Sequence, residues 1–213
     1  MEIYWLGHGC FRLRGREATV VTDPCPPATG YKIGKLTGEI ITVSRKNEPN
    51  ASFFQALTNE PKVINGPGEY EIAGVLMTGV RTDHDPPSDT GPSRNVAYVM
   101  DIDDIRICHL GRMSRRPAAD DVETLSAADV LLVPVGGDSL LDAAGAAETV
   151  SLLEPKIVIP MLYKTDVETG NYDPVDRFLK ELGMEAKPPE SRLSVTRSNM
   201  PADTTVMLLN YRG

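Results

Sequence analysis

The chain has 213 residues, 41% of them hydrophobic, and a formal net charge of −8. That length suits a single domain spanning residues 1–213, and the apolar share supports a packed core without a disordered tract. The acidic balance excludes a nucleic-acid binder, which needs a basic face against phosphate, and no run of about 18 apolar residues offers a membrane span.

The start, MEIYWLGHGCF, lacks a basic leader and a long apolar stretch, so a cytoplasmic protein is expected. The three cysteines, Cys10, Cys25 and Cys108, have neither disulfide-framework nor zinc-knuckle spacing. Cys10 and Cys108 read as small core hydrophobes.

In chain order, the first segment reads as a β-meander. Ile3 and Trp5, Phe11 and Leu13, and Thr19 to Val21 form short runs bounded by Gly7, Gly9, Gly15 and the Asp23-Pro24 break. Residues 39–44 (EIITVS) form a buried strand, followed by a polar loop and a short helix from Asn50 to Leu57. GPGEYEIAGV, from Gly66 to Val75, is a strand pair around glycines. The long coil from Asp83 to Ser93 is a lid or active-site rim, since long coil inside a compact domain is usually functional.

Asn95 to Met100 and Asp104 to His109 form a hairpin turning at Asp101 to Asp103, and Pro117 to Leu125 a helix. Asp129 to Val135 and Lys156 to Pro160 are continuous apolar runs, as in strands covered on both faces. An Ala-rich helix, Ser139 to Leu153, lies between them. The clearest helix follows Asp173-Pro174, an N-cap with proline in the first turn. Val175, Phe178, Leu179 and Leu182 line one face and Gly183 closes it. Two strand-rich halves, each followed by helices, imply two sheets face to face with helices outside, a four-layer α/β sandwich.

Six phrases then line up in order: GHGCF (Gly7 to Phe11), TDP (Thr22 to Pro24), GPGEYEIAGV (Gly66 to Val75), HLGR (His109 to Arg112), DVLLVPVGG (Asp129 to Gly137) and PKIVIPMLY (Pro155 to Tyr163). Together they resemble the metallo-β-lactamase superfamily, in the branch of predicted zinc-dependent hydrolases similar to ascorbate-phosphate lactonase. The resemblance implies an αββα sandwich with a metal site at one edge of the paired sheets.

It also shows departures. The family's His-x-His-x-Asp-His phrase follows a strand, and here the strand ends at Ser44 with Arg45, Asn47, Pro49 and Asn50 at the four ligand positions. Arg112 stands for the family's bridging aspartate and Leu162 for its last histidine, leaving His84, in RTDHD, at a ligand position. The chain has only three histidines, His8, His84 and His109. A catalytic zinc takes about three protein ligands plus an open position, lowers the pKa of its water to ~7, and cannot be bound by arginine. No metal cofactor is therefore expected, although the family implies zinc.

The expected vestigial pocket comprises Asp23, Arg45, Asn47, Asn50, Glu69, His84, Asp85, Arg112 and Leu162. Its arginines read either as a plug, paired with Asp23 or Glu69, or as an anion site joined by Lys46, Arg115, Arg116 and Lys164. His8 reads as a turn histidine and His109 as strand-end packing. Asp83, His84 and Asp85 with Asp23 offer an alternative mononuclear metal site. Gly66, Gly68, Gly74, Gly136 and Gly137 match no phosphate-loop pattern and are turn glycines, and no G-x-S-x-G elbow occurs. The leading expectation is a non-catalytic relative binding a small anion or a protein partner. The alternatives are a divergent metal-dependent hydrolase with a reduced mononuclear site, and a structural or homo-oligomerising module.

Overall fold

Successive side chains of a strand point to opposite faces, so a strand that is apolar at every position must be covered twice. In β1 (Glu2–Gly7), Ile3 and Trp5 enter one hydrophobic cluster while Tyr4 and Leu6 enter another. β2 (Cys10–Arg14), β3 (Thr19–Thr22) and β4 (Ile40–Thr42) follow suit. They send Phe11, Leu13, Val20 and Ile40 to the first cluster and Cys10, Val21 and Ile41 to the second. The structure, a computed structural model, describes residues 1–45, 54–82, 95–126, 128–185 and 187–211.

The remaining elements are β5 (Lys62–Ile64), β6 (Gly68–Ile72), β7 (Val75–Arg81), β8 (Val96–Ile102), β9 (Ile105–His109), α1 (Ala119–Leu125), β10 (Val130–Pro134), α2 (Ala143–Leu153), β11 (Ile157–Met161), α3 (Val175–Leu182), β12 (Leu193–Ser194) and β13 (Thr205–Val206). One sheet runs β12-β1-β2-β3-β4-β5 and the other β13-β11-β10-β9-β8-β7-β6. Both are mixed: β1 to β3 pair antiparallel and β3 to β5 parallel, while β6 to β9 form an antiparallel meander and β9, β10, β11 and β13 run parallel.

The first cluster is the core between the sheets, where Ile3, Trp5, Phe11 and Ile40 join Met77, Tyr98, Met100 and Ile107 of the second sheet. α2 packs against β10, α1 and α3 on the outside of that sheet. Over the first sheet the outer layer is mostly irregular chain. Short 3-10 turns at Pro27–Thr29 and Phe54–Ala56, with buried Tyr31, Ile33 and Leu36, cover Tyr4, Leu6 and Ile41. The expected sandwich is present with few helices, and none of those described is long and apolar enough to cross a membrane.

Local boundaries differ from expectation for identifiable reasons. The β8–β9 hairpin turns at Asp103 and Asp104, both left-handed with φ of 52° and 64°. Two such residues match the right-handed twist of the flanking strands. α2 starts late because Asp142, not Ser139, caps it, its Oδ1 accepting from the Gly145 N–H at 2.8 Å. α3 starts at Val175 after Pro174, and Asp173 instead pairs with Arg177 at 2.6 Å. Replacing Asp142 by Ala removes the cap bond and is expected to lower stability by about 1 kcal/mol, read as a lower urea midpoint with an unchanged slope.

Candidate active-site cavity

Several chain segments leaving the strands converge on one edge of the sandwich. The cavity they enclose, about 200 Å³, is lined by His8 and Gly9 after β1, Asp23 and Cys25 after β3, and Arg45 after β4. Among the described residues it is also lined by Ala28 and Thr29, Arg112 after β9, Leu162 after β11, and Glu168, Thr169, Gly170 and Tyr172 from the coil before α3. Crevices at the carboxyl ends of strands are where sheet proteins commonly place ligands. His8, Asp23 and Leu162 each adopt a left-handed backbone, with φ of 55°, 36° and 56°. Non-glycine residues in that region are strained and collect at functional sites.

His8 sits at the centre of the polar network. Its carbonyl accepts from Trp5 Nε1 at 3.1 Å and from the Leu162 N–H at 3.3 Å, which pins the turn. Its Nε2 lies 3.1 Å from Arg112 Nη1, and its Nδ1 lies 3.0 Å from Glu168 Oε2. A guanidinium only donates. Nε2 therefore accepts, and the ring proton is on Nδ1, donated to Glu168. Glu168 is 3% exposed, and its Oε1 accepts from the Gly170 N–H at 2.8 Å.

Arg112 is aimed by its neighbours. Gly111, at φ 61°, turns the chain where a Cβ would strike Ser44 and Asn95, so glycine is required there. The Arg112 N–H donates to Asn95 Oδ1 at 2.8 Å, and Nη2 donates to the Tyr172 hydroxyl at 3.3 Å. Asn95 is anchored in turn to Thr82 Oγ1 and the Leu110 carbonyl. Across the cavity, Asp23 Oδ1 accepts from the Ser44 N–H at 2.6 Å. Arg45 is 9% exposed and, like Arg112, is engaged by other groups.

His109 takes the structural role its strand-end position suggests. It is fully buried, facing the Gly9 carbonyl through Nε2 at 3.0 Å and accepting from the Gly111 N–H at Nδ1. Burial pushes its pKa down from 6.5, against the smaller opposing effects of Asp23 and the Gly9 carbonyl. Cys10 and Cys25, distant in sequence, come together. Burial raises the Cys10 thiol, whereas the hydrogen bond from Cys10 lowers Cys25.

Of the expected pocket, Asp23, Arg45, Arg112 and Leu162 meet in the cavity wall. Glu69 does not: it is exposed on edge strand β6, because that strand's outward face carries the alternate glutamates. Asn47, Asn50, His84 and Asp85 lie outside the described residues. Of the basic residues expected beside the arginines, Lys46 lies outside the described residues, Arg115 and Arg116 line a different surface cleft, and Lys164 stands behind the cavity wall. Arg116 pairs with Glu148 of α2 at 2.8 Å, and Lys164 donates to the Glu168 carbonyl. Glu168 and Tyr172 were not singled out. Their signal was the polar coil between β11 and α3, as long a stretch as the one read as a lid.

Because buried His109 must be neutral, folding disfavours its protonation. Above pH 6.5 this costs nothing, and as pH falls below 6.5 the unfolded chain gains a proton that the folded one resists. His109→Gln is expected to weaken the fall of melting temperature between neutral pH and pH 5, measured by paired thermal melts.

Comparisons with known proteins place these features in a family. The sequence profile described as "Beta-lactamase superfamily domain" matches residues 2–162. A UPF0173 protein of Pyrococcus furiosus is 28% identical over 202 residues, covering 85% of this chain and 90% of its own. A UPF0173 metal-dependent hydrolase of Thermoplasma volcanium is 28% identical over 190 residues, covering 78% and 84%. A crystal structure from Thermotoga maritima, named for a Zn-dependent hydrolase of the metallo-beta-lactamase superfamily, superposes with a TM-score of 0.81. It is 33% identical and covers 98% of this chain and 99% of its own.

These names overturn the expectation of no metal cofactor: they point to a metal in the family, zinc in the Thermotoga protein. The ligand count failed for a physical reason. It rested on the family's phrase positions and on the chain's three histidines, whereas carboxylates are donors too and about three protein ligands suffice. The described side chains do not themselves fit one. No three His, Cys, Asp or Glu among them gather to hold an ion, and both ring nitrogens of His8 are occupied.

Proposed function

The chain belongs to the beta-lactamase superfamily, and from that premise we propose that it is a divergent metal-dependent hydrolase with a reduced, mononuclear site. The observation that carries the reading is the near full-length likeness to the Thermotoga protein, 33% identical over 98% of the chain. The cavity at the strand ends is where such chemistry would be housed. Arg112 and Leu162 both stand in its wall, and neither side chain can donate to a cation, which favours one ion over a pair. Among the described residues Asp23 supplies a carboxylate there, and outside them the sequence offers His84 with Asp85. The two cavity arginines favour a substrate bearing a carboxylate or phosphate, whose geometry the guanidinium fork matches.

A second reading, an anion-binding protein without catalysis, draws support from the same arginines. Metal content and turnover separate the two. Protein purified without chelator is expected to retain about one equivalent of zinc, manganese or iron, measured by plasma mass spectrometry. His84→Ala is expected to lower that content, and a chelator to abolish hydrolysis of p-nitrophenyl acetate or bis-p-nitrophenyl phosphate. Background metal together with chelator-insensitive rates would overturn the hydrolase reading.

A further inference from the structure

We infer that His8 is a general acid–base of this cavity and that Glu168 is its positioning residue, a histidine–carboxylate dyad assembled from the two ends of the fold. The inference rests on the hydrolase reading above and adds to it the groups that move the proton.

A general base needs a lone pair facing the reacting atoms and a partner that fixes the opposite nitrogen. His8 has both. Glu168 Oε2, 3.0 Å from Nδ1, holds the ring proton on that side, and the lone pair of Nε2 points to the cavity, where a donor already stands at 3.1 Å. That donor, Arg112 Nη1, marks the position a water or substrate hydroxyl would take. Glu168 is 3% exposed and its second oxygen is held by the Gly170 N–H, so the carboxylate has little freedom to turn away. A turn histidine needs no such partner. The His8 turn is already pinned through its carbonyl by Trp5 and Leu162, yet a buried carboxylate 160 residues away is brought to its ring. Burying that charge is costly unless it is paired with good geometry, and the His8 ring supplies one of its partners.

The step balances without any further reactant. Arg112 turns from Nε2 toward the anionic group of the substrate, and water takes its place. Nε2 accepts one proton of that water as the water oxygen bonds to the electrophilic carbon or phosphorus. The proton then passes from Nε2 to the leaving oxygen as the scissile bond breaks. His8 ends with the Nδ1 proton it began with, still held by Glu168.

His8→Gly is the deciding variant, because glycine accepts the left-handed backbone that His8 adopts at φ 55° and leaves a space the size of an imidazole. With the full chain as purified and bis-p-nitrophenyl phosphate as probe, p-nitrophenyl acetate serving as the neutral comparison, kcat for the phosphate is expected to fall by about 10²–10⁴-fold with KM nearly unchanged. Added imidazole is expected to restore a large part of the loss. That rescue should fail in the His8→Gly, Glu168→Gln double variant, an outcome that a purely structural Glu168 would not produce. His8→Asn, whose side chain also tolerates this backbone, is the second variant should the glycine chain fold poorly, and the same fall in kcat is expected of it. A folded His8 variant that keeps wild-type kcat, or a loss that imidazole does not restore, would overturn the dyad alone. Wild-type protein that turns over neither probe would overturn the hydrolase reading and the dyad with it.

Discussion

A carboxylate that leaves water needs partners for its charge, and Glu168 shapes one whole side of the cavity through that need. His8 Nδ1 and the Gly170 N–H supply them at 3.0 and 2.8 Å. The chain around Glu168 is arranged to hold it there. Lys164 Nζ donates to its carbonyl, its own N–H donates to Thr165 Oγ1, and Thr165 Oγ1 meets the Tyr31 hydroxyl. Thr169 donates through both its N–H and its hydroxyl to carbonyls of the turn after β3, at Thr29 and Ala28. The coil after β11 is thereby stitched to the coil after β3, and the two irregular segments close the same space from opposite sheets.

The strands were legible because their physics is local. The continuous apolar runs 129–135 and 156–160 announced burial on both faces, and the strands formed there, Val130–Pro134 and Ile157–Met161, are wholly buried. Ile3 and Trp5, read as one run, do share the core between the sheets, while Tyr4 and Leu6, which that run left out, face the outer cluster. Boundaries were less legible, since a cap depends on one side chain reaching one N–H. Asp142 does so and Ser139 does not.

The site was legible only in part, and the divide follows sequence distance. Asp23, Arg45, Arg112 and Leu162 could be placed together because the resemblance to the metallo-β-lactamase superfamily assigned them, each just after a strand, to one pocket. Glu168 and Tyr172 belong to a coil with no period or motif, and their partners lie at positions 8 and 112. Pairings of that range leave no trace in a single sequence. Cys10 and Cys25 teach the same lesson: no spacing rule joins them, yet the β2–β3 pairing and the turn after it bring their thiols together. His8 was legible as a turn residue, and the structure makes it a turn residue and a cavity residue together. Its left-handed backbone is what swings the ring toward Arg112 rather than along the strand.

Charge distribution adds the last constraint. The chain carries a net −8, so at long range it repels the anionic substrate proposed for it, and its encounter rate gains nothing from steering. Beyond about 8 Å, physiological salt screens that repulsion, whereas a ligand inside the cavity meets Arg45 and Arg112 in its wall at close range. Selection by charge must therefore happen within the cavity. There a guanidinium discriminates by geometry as well as sign, because its fork matches two oxygens at once. In the dyad we propose, recognition and reaction would share the same few ångströms, because moving Arg112 onto a substrate would also uncover the nitrogen of His8.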